Sequence, residues 1–322
     1  MNAQITRLPI LVLEPHGRCN CRCLMCDIWK STGAAEITGV ELERHLEDIA
    51  RLGVEWIVFT GGEPLMHSDF FRLCRLLRGS SVRLTLLSSG LLLTRYAREI
   101  IEHVNDVIVS LDGPREVHDQ IRGVPRAFDM VAVGVEVIHR LLPEFSITAR
   151  CTVQAANAAH LRATVASARQ LGLGSISFLA ADLTSSAFNR ATPWPSDRQN
   201  SLLPDLPTLE GEMQALMEAY PCDGFILESP AKLRRIVSHF RAYARLDPQI
   251  APRCNAPWIS AVIENTLDVR PCFFQPAIGN LAGRSLLEVL NSPSAIRFRN
   301  ELNVENNPIC RRCVCSLYRT AS

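Results

Sequence analysis

From residue 9 to about residue 182, short apolar runs alternate with amphipathic stretches, and nothing else in this 322-residue chain constrains its fold as much. The runs Pro9–Leu13, Trp56–Phe59, Arg83–Leu87, Val107–Leu111, Ser146–Val153 and Ser175–Leu179 have the length of strands. Between them, Val40–Leu52, Phe70–Arg78, Tyr96–Glu102, Ala127–Leu141 and Leu161–Leu171 carry apolar residues at helical spacing. Six such units predict a parallel α/β sheet, since right-handed crossovers return each strand in the same direction. A closed barrel of this kind has eight units, so six predict a partial (β/α)6 TIM-like barrel open on one side. After Asp182 the pattern changes. Ser185–Pro207 is rich in Ser and Pro and reads as a linker or surface loop. Helical stretches follow at Leu209–Tyr220 and about Ala231–Arg245. From Arg253 come a hairpin-like pair, Trp258–Ile263 and Asp268–Pro271, a helix at Ser285–Asn291, and a terminal Cys-rich loop. The expected division is a barrel core over 1–184, a linker with helices over 185–252, and a small β-hairpin/helix subdomain over 253–322.

Composition bears mainly on compartment and partners. Hydrophobic residues make up 47% of the chain, enough for a sizeable core. A net charge of +1 gives no general attraction to nucleic acid or anionic membrane, and no basic cluster with stacking aromatics appears. The apolar runs are far too short to span a bilayer. The N-terminus lacks a basic region and cleavage site, so a cytoplasmic protein is expected. In a reducing compartment, 12 cysteines are better read as metal ligands than as disulfides. Cys74, Cys151 and Cys222 stand alone and read as small core hydrophobes.

The first cysteine group, Cys19, Cys23 and Cys26, has the spacing Cys-x3-Cys-x2-Cys and sits just after the first strand, at the mouth where barrel active sites gather. Three soft thiolates can hold three irons of a cubane cluster and leave the fourth open. Adding Cys21 would make a four-thiolate zinc site. Four ligands within eight residues crowd a tetrahedral ion, however, and structural zinc sites pair two distant knuckles. Cys21 is therefore expected to point away.

This motif resembles the signature of the radical S-adenosylmethionine (SAM) superfamily, and the neighbouring Asn20 and Asp27-Ile28-Trp29 share the likeness. The resemblance implies an oxidoreductase-type enzyme with a partial (β/α)6 barrel, in agreement with the six repeats. Its [4Fe–4S] cluster would bind SAM through the open iron and cleave it reductively to a 5′-deoxyadenosyl radical. The electron would come from a donor such as flavodoxin or ferredoxin. Gly61-Gly62-Glu63-Pro64 resembles the motif that receives the SAM amino group, although alone it is an ordinary turn. By the same likeness, Ser110, Ser88 and Asp112 match positions that bind the ribose hydroxyls and carboxylate of SAM. Arg122 and Arg150 are candidates for the carboxylate, and Asn157 for the nucleoside. The family commonly has Thr-Asn-Gly where this chain has Ser88-Ser89-Gly90.

Cys254, Cys272, Cys310 and Cys313 form a second group, whose four thiolates suit either a second [4Fe–4S] cluster or a structural zinc. Val269-Arg-Pro-Cys-Phe-Phe274, Ile278-Gly-Asn-Leu281 and Ser285-Leu-Leu-Glu-Val-Leu-Asn291 resemble the SPASM/twitch extension of radical SAM enzymes, which implies an auxiliary cluster. The shorter twitch form fits better. Leu267 stands where that hairpin commonly has Gly, and Cys315 is an extra thiol that would replace Cys313 or be spare. Such enzymes act on small molecules (sugars, aminocyclitols, nucleosides) or on peptides. No separate peptide-recognition domain is read here, which favours hydrogen abstraction from a small molecule, with oxidation or rearrangement. A maturase of a ribosomal precursor peptide and a non-catalytic metal-binding protein are the alternatives. Glu14, His16 and Asp182 are lumen-facing candidates to which no catalytic role is assigned.

Overall fold

A computed structural model describes residues 3–79, 82–190, 192–220 and 223–320; Cys222 lies outside the described residues. Six strands, β1 (Ile10–Leu13), β2 (Trp56–Phe59), β3 (Arg83–Ser88), β4 (Asp106–Ser110), β5 (Ser146–Val153) and β6 (Ile176–Ala180), pair in parallel and in chain order. Three more, β7 (Ser260–Ile263), β8 (Asp268–Arg270) and β9 (Gly279–Asn280), complete one sheet in the order β6-β5-β4-β3-β2-β1-β7-β8-β9. This is the expected partial barrel, with a sheet that does not close. The crossover helices bury one apolar face each. In the helix Ala127–Leu141, Val131, Val135 and Ile138 are at most 1% exposed, the i, i+4, i+7 pattern that points inward.

Two features were not legible in the pattern. The segment Val40–Leu52 forms two helices, Gly39–Glu43 and Leu46–Arg51, the first started by a Thr38–Glu41 capping box. The C-terminal hairpin also joins the main sheet, because β7 runs parallel to β1, Ile10 opposite Ser260 through Leu13 opposite Ile263. The third segment therefore extends the barrel sheet on the side of the first strand. No helix among the described residues is long and apolar enough to cross a membrane.

Candidate active site

The chain leaves β1 at Leu13 and arches over the C-terminal ends of the strands as the cysteine loop. Backbone bonds fasten the loop to its neighbours: Arg22 N donates to Arg122 O (2.8 Å), Leu24 N to Ile121 O (3.0 Å) and Glu63 N to Arg18 O (2.9 Å). Gly62 makes that last approach possible, since a Cβ there would fall 1.8 Å from the carbonyl oxygen of Arg18. One glycine of the Gly-Gly pair therefore serves contact with the cysteine loop itself. The other, Gly61, takes a φ of +97° and packs on Glu14.

The loop gathers its thiols in dry surroundings but supplies donors to sulfur. Arg122 Nη1 lies 3.5 Å from Cys23 Sγ, and Ile28 N donates to Cys26 Sγ at 3.4 Å. The Cys23 thiol is lowered to about 7, by hydrogen bonding from Cys21 and by the Arg122 charge, against the cost of burial. Burial instead pushes Cys26 up to about 12. Cys21 does not point away. It is 1% exposed, and its thiol bridges those of Cys19 and Cys23, which holds its own proton on strongly. Soft thiols at Cys19, Cys23 and Cys26, with N–H donors aimed at two of them, fit the ligand set of an iron–sulfur cluster. Among the described residues, no three His, Cys, Asp or Glu side chains converge as the ligands of a single ion do.

A cavity of about 420 Å3 opens beneath the loop, and Gly61, Gly62, Ser88, Ser110, Arg122 and Arg150 line it. The remaining residues read as SAM-binding from sequence are placed otherwise. Glu63 is fully buried and turned from the cavity; it accepts from Ser88 Oγ (3.0 Å), Ser89 N (2.7 Å), Ser89 Oγ (2.7 Å) and Leu65 N (3.2 Å). Those donors leave the carboxylate little capacity for an ammonium, so Glu63 braces the β2 and β3 loops. Pro64 is buried in the short turn that follows it. Asp112, also fully buried, pairs with Arg122 Nη2 at 2.6 Å and accepts from Thr152 N at 2.8 Å, so it aims the guanidinium at the cysteine loop. Asn157 is equally buried, and its Nδ2 donates to Asp112 O (2.9 Å) and Thr152 O (3.0 Å). It is a brace behind the wall. A cradle of small residues with hydroxyls and two guanidiniums suits the carboxylate and ribose of SAM.

The cavity lining also includes groups that the sequence reading did not single out as site residues: Glu228, Lys232, Arg235, Phe178 and Phe188, with Phe274 from the Val269–Phe274 motif. They come from three distant segments, and apart from Phe274 no local motif marks them. Glu14 and Asp182 also line the cavity, whereas His16 is buried against Glu63 O at 2.6 Å. Glu14 is the most perturbed of these. Burial first, and then the nearby Glu264, push its carboxyl up to about 7.

Ser185–Pro207 is more than a surface loop. Arg190 pairs with Asp182 at 2.7 Å, donates to Met25 O at 3.0 Å and stacks 3.6 Å over Trp194. Trp194 Nε1 and Arg198 Nη2 then bind the two oxygens of Asp27, the residue after Cys26, at 2.5 and 2.9 Å. This strap clamps the cysteine loop from outside. Much of the stretch is solvent-exposed, as its polar composition suggested, but Arg190, Trp194 and Arg198 reach Asp182 and the cysteine loop.

The C-terminal thiols also gather. Burial, with Cys254 and Cys310 close by, raises Cys272 to about 11. Burial and neighbouring thiols likewise raise Cys313. Gln275 Nε2 donates to Cys310 Sγ (3.4 Å) and Ala256 N to Cys254 Sγ (3.5 Å), the same sulfur-directed donors as in the first loop. Cys315 instead lines the barrel cavity, with Val314 and Ser316.

Comparison with known proteins agrees with this geometry. A radical SAM superfamily profile matches residues 13–157, and an iron–sulfur cluster-binding (SPASM) domain profile matches residues 254–314. An AdoMet-dependent heme synthase of Methanosarcina barkeri is 32% identical over 177 residues, covering 52% of this chain and 49% of that protein. The chain spans about half or less of the length of the curated relatives it matches. Streptococcus suis SuiB bound to precursor peptide SuiA superposes with a TM-score of 0.68 at 15% identity, over 97% of this chain and 72% of that one. BtrN in complex with AdoMet and 2-DOIA superposes with a TM-score of 0.51 at 14% identity, over 97% and 94%. Both solved structures share the fold. Radical SAM enzymes carry a [4Fe–4S] cluster and SAM and need a reductant, and SPASM domains carry auxiliary iron–sulfur clusters. With one profile on each of the two cysteine groups, this chain belongs to the radical SAM superfamily and bears a C-terminal SPASM-type domain.

Proposed function

We propose that this protein cleaves SAM reductively and abstracts hydrogen from a small molecule held in the barrel cavity. One observation carries the reading: the cysteine loop and the C-terminal Cys-bearing tail line the same cavity of about 420 Å3. Cys19, Cys23 and Cys26 would hold the [4Fe–4S] cluster that binds SAM. Cys254, Cys272, Cys310 and Cys313 would hold an auxiliary one, and Cys315 faces the substrate side. When bound, the first cluster and SAM supply one-electron cleavage of a sulfonium bond and a hydrogen-abstracting equivalent.

The chain's own residues do the rest. Arg122, fixed by Asp112, holds positive charge beside Cys23 and lines the cavity. Ser88 and Ser110 present hydroxyls to the ribose side, and Arg150 offers a cation to the SAM carboxylate. Phe178 and Phe274 exclude water from the wall. Glu14, with its carboxyl at about 7, can take or give a proton near neutrality. Lys232 and Arg235, one helical turn apart, and Glu228 give the substrate side both signs of charge. That suits a compact polar molecule, the class of substrate in the name of the relative GTP 3',8-cyclase, while relatives named heme synthase favour a small molecule of another shape. The peptide reading is favoured by the likeness to SuiB bound to its precursor peptide.

Anaerobically reconstituted protein, reduced with dithionite in the presence of SAM, is expected to hold about eight irons and release 5′-deoxyadenosine. Protein that takes up iron in both sites and never releases 5′-deoxyadenosine would sink the reading in favour of a non-catalytic metal protein. Four irons with one zinc would keep SAM cleavage and remove the auxiliary cluster.

A further inference from the structure

We propose that the cleft between the helix Pro230–Tyr243 and the C-terminal cysteine loop is the docking site of an acidic electron-transfer protein. This rests on the functional reading above, which places an iron–sulfur cluster on Cys254, Cys272, Cys310 and Cys313. The carrier would give up one electron there, and the cluster would take it for relay to the first cluster and SAM.

The cleft, about 250 Å3, adjoins the barrel cavity only through Arg235, which lines both. Arg234, Arg235, Arg311, Arg312 and His239 line it, with Cys313 among them and no Asp or Glu. A chain of net charge +1 has no general reason to place four guanidiniums round one depression. Their internal partners are backbone carbonyls. Arg311 Nε donates to Gln249 O at 2.9 Å, Arg312 Nε to Pro308 O at 3.2 Å, and Arg235 to Cys313 O. The neighbouring acids are already taken, since Glu210 and Asp247 both pair with Arg241 at 2.7 Å. His239 adds no positive charge near neutrality, because burial pushes it down to about 4, and its Nε2 has no partner among the described residues.

Apolar residues flank this charge. Ile250, in the cleft wall, is 75% exposed, and Leu246, four residues before it, is 60% exposed. Exposed aliphatics beside guanidiniums bonded only to backbone carbonyls, with no carboxylate on the cleft wall, form the pattern of a protein interface, in which charge steers the encounter and apolar contact holds it. A small anion would use the arginines and leave the aliphatics idle. The position favours an electron carrier over other acidic proteins. Cys313 lies in the cleft wall, and electron transfer slows steeply with distance. The first cysteine loop, by contrast, is covered by the strap over Asp27.

The test uses the reconstituted holoenzyme and two reductants, a reduced acidic ferredoxin and dithionite. Arg234→Glu with Ile250→Asp changes the cleft without touching a cysteine or the barrel cavity. The rate of ferredoxin oxidation at low salt should fall roughly tenfold or more, and lose most of its salt dependence, while dithionite-driven release of 5′-deoxyadenosine stays as in the wild type. An unchanged ferredoxin rate would overturn the proposal, and so would an equal loss with dithionite, which would make the cleft a support of the cluster. Inorganic phosphate that raises the melting temperature, together with an unchanged ferredoxin rate, would reassign the cleft to a small anion. Wild-type protein that oxidises ferredoxin in a salt-dependent manner yet never cleaves SAM would keep the docking site and overturn the functional reading.

Discussion

Leu267 shows how a single backbone angle records what a position wants. It sits at φ +67° in the β7–β8 turn, where its N–H donates to Glu264 O at 2.8 Å, and where related hairpins commonly place Gly. A left-handed L-residue costs about 1–2 kcal/mol, which Gly avoids, whereas Leu recovers part of that by packing against the core. Ala keeps the strain and loses the packing. Leu267→Gly should therefore be more stable than Leu267→Ala by about 1 kcal/mol in urea unfolding, the reverse of the usual order in regular structure. Glu14 presents a second residue-scale case. Its carboxyl is raised from 4.5 to about 7 in the folded chain, chiefly by burial. Folding then holds a proton that the unfolded chain gives up, so this contribution is fully present below about pH 4.5 and is lost as pH rises through about 7. Glu14→Gln should flatten the pH dependence of apo-protein stability between pH 5 and 8. Its advantage at pH 8 should reach about 3 kcal/mol, from 1.36 kcal/mol per pK unit. An equal pH slope in both proteins would mean that Glu14 is solvated from the cavity.

At the scale of elements, the strap formed by Asp182, Arg190, Trp194 and Arg198 decides how firmly the cysteine loop is held. Its hub is the Arg190–Asp182 pair, whose side chains are 1% and 4% exposed. Breaking a buried pair by removing one partner costs about 3–5 kcal/mol, because the other charge is left uncompensated, while replacing both with apolar groups is often nearly neutral. Arg190→Met should thus lower apo-protein stability by about that amount, and Arg190→Met with Asp182→Leu should recover most of it. If the double variant is as unstable as the single, the hydrogen bonds from Arg190 to Met25 O and Asp182 O matter more than charge pairing. The hub was invisible in sequence because the stretch mixes Pro, Ser and Thr with its Arg and Trp. Only contact with a loop about 160 residues away turns those into a clamp.

For the whole molecule, periodicity and spacing were enough for the six β/α units, the open parallel barrel and two separate cysteine groups. Each of these is encoded locally, through strand-length apolar runs, helical stripes and thiols a few residues apart. The motifs, through their resemblance to those of radical SAM enzymes, also pointed at Gly61, Gly62, Ser88, Ser110, Arg122 and Arg150, and all six line the cavity. Tertiary structure decided which of the motif residues meet the cavity. Glu63, Asp112 and Asn157 were implied by the same resemblance but turn inward, Glu63 to donors on the β3 loop, Asp112 to Arg122 and Asn157 to backbone carbonyls. It also decided that β7 would dock on β1, that Cys21 would lie among the other thiols, and that Lys232, Arg235 and Cys315 would complete the cavity lining. These are contacts between segments far apart in the chain, set by packing and charge pairing across the fold, and no local periodicity carries them.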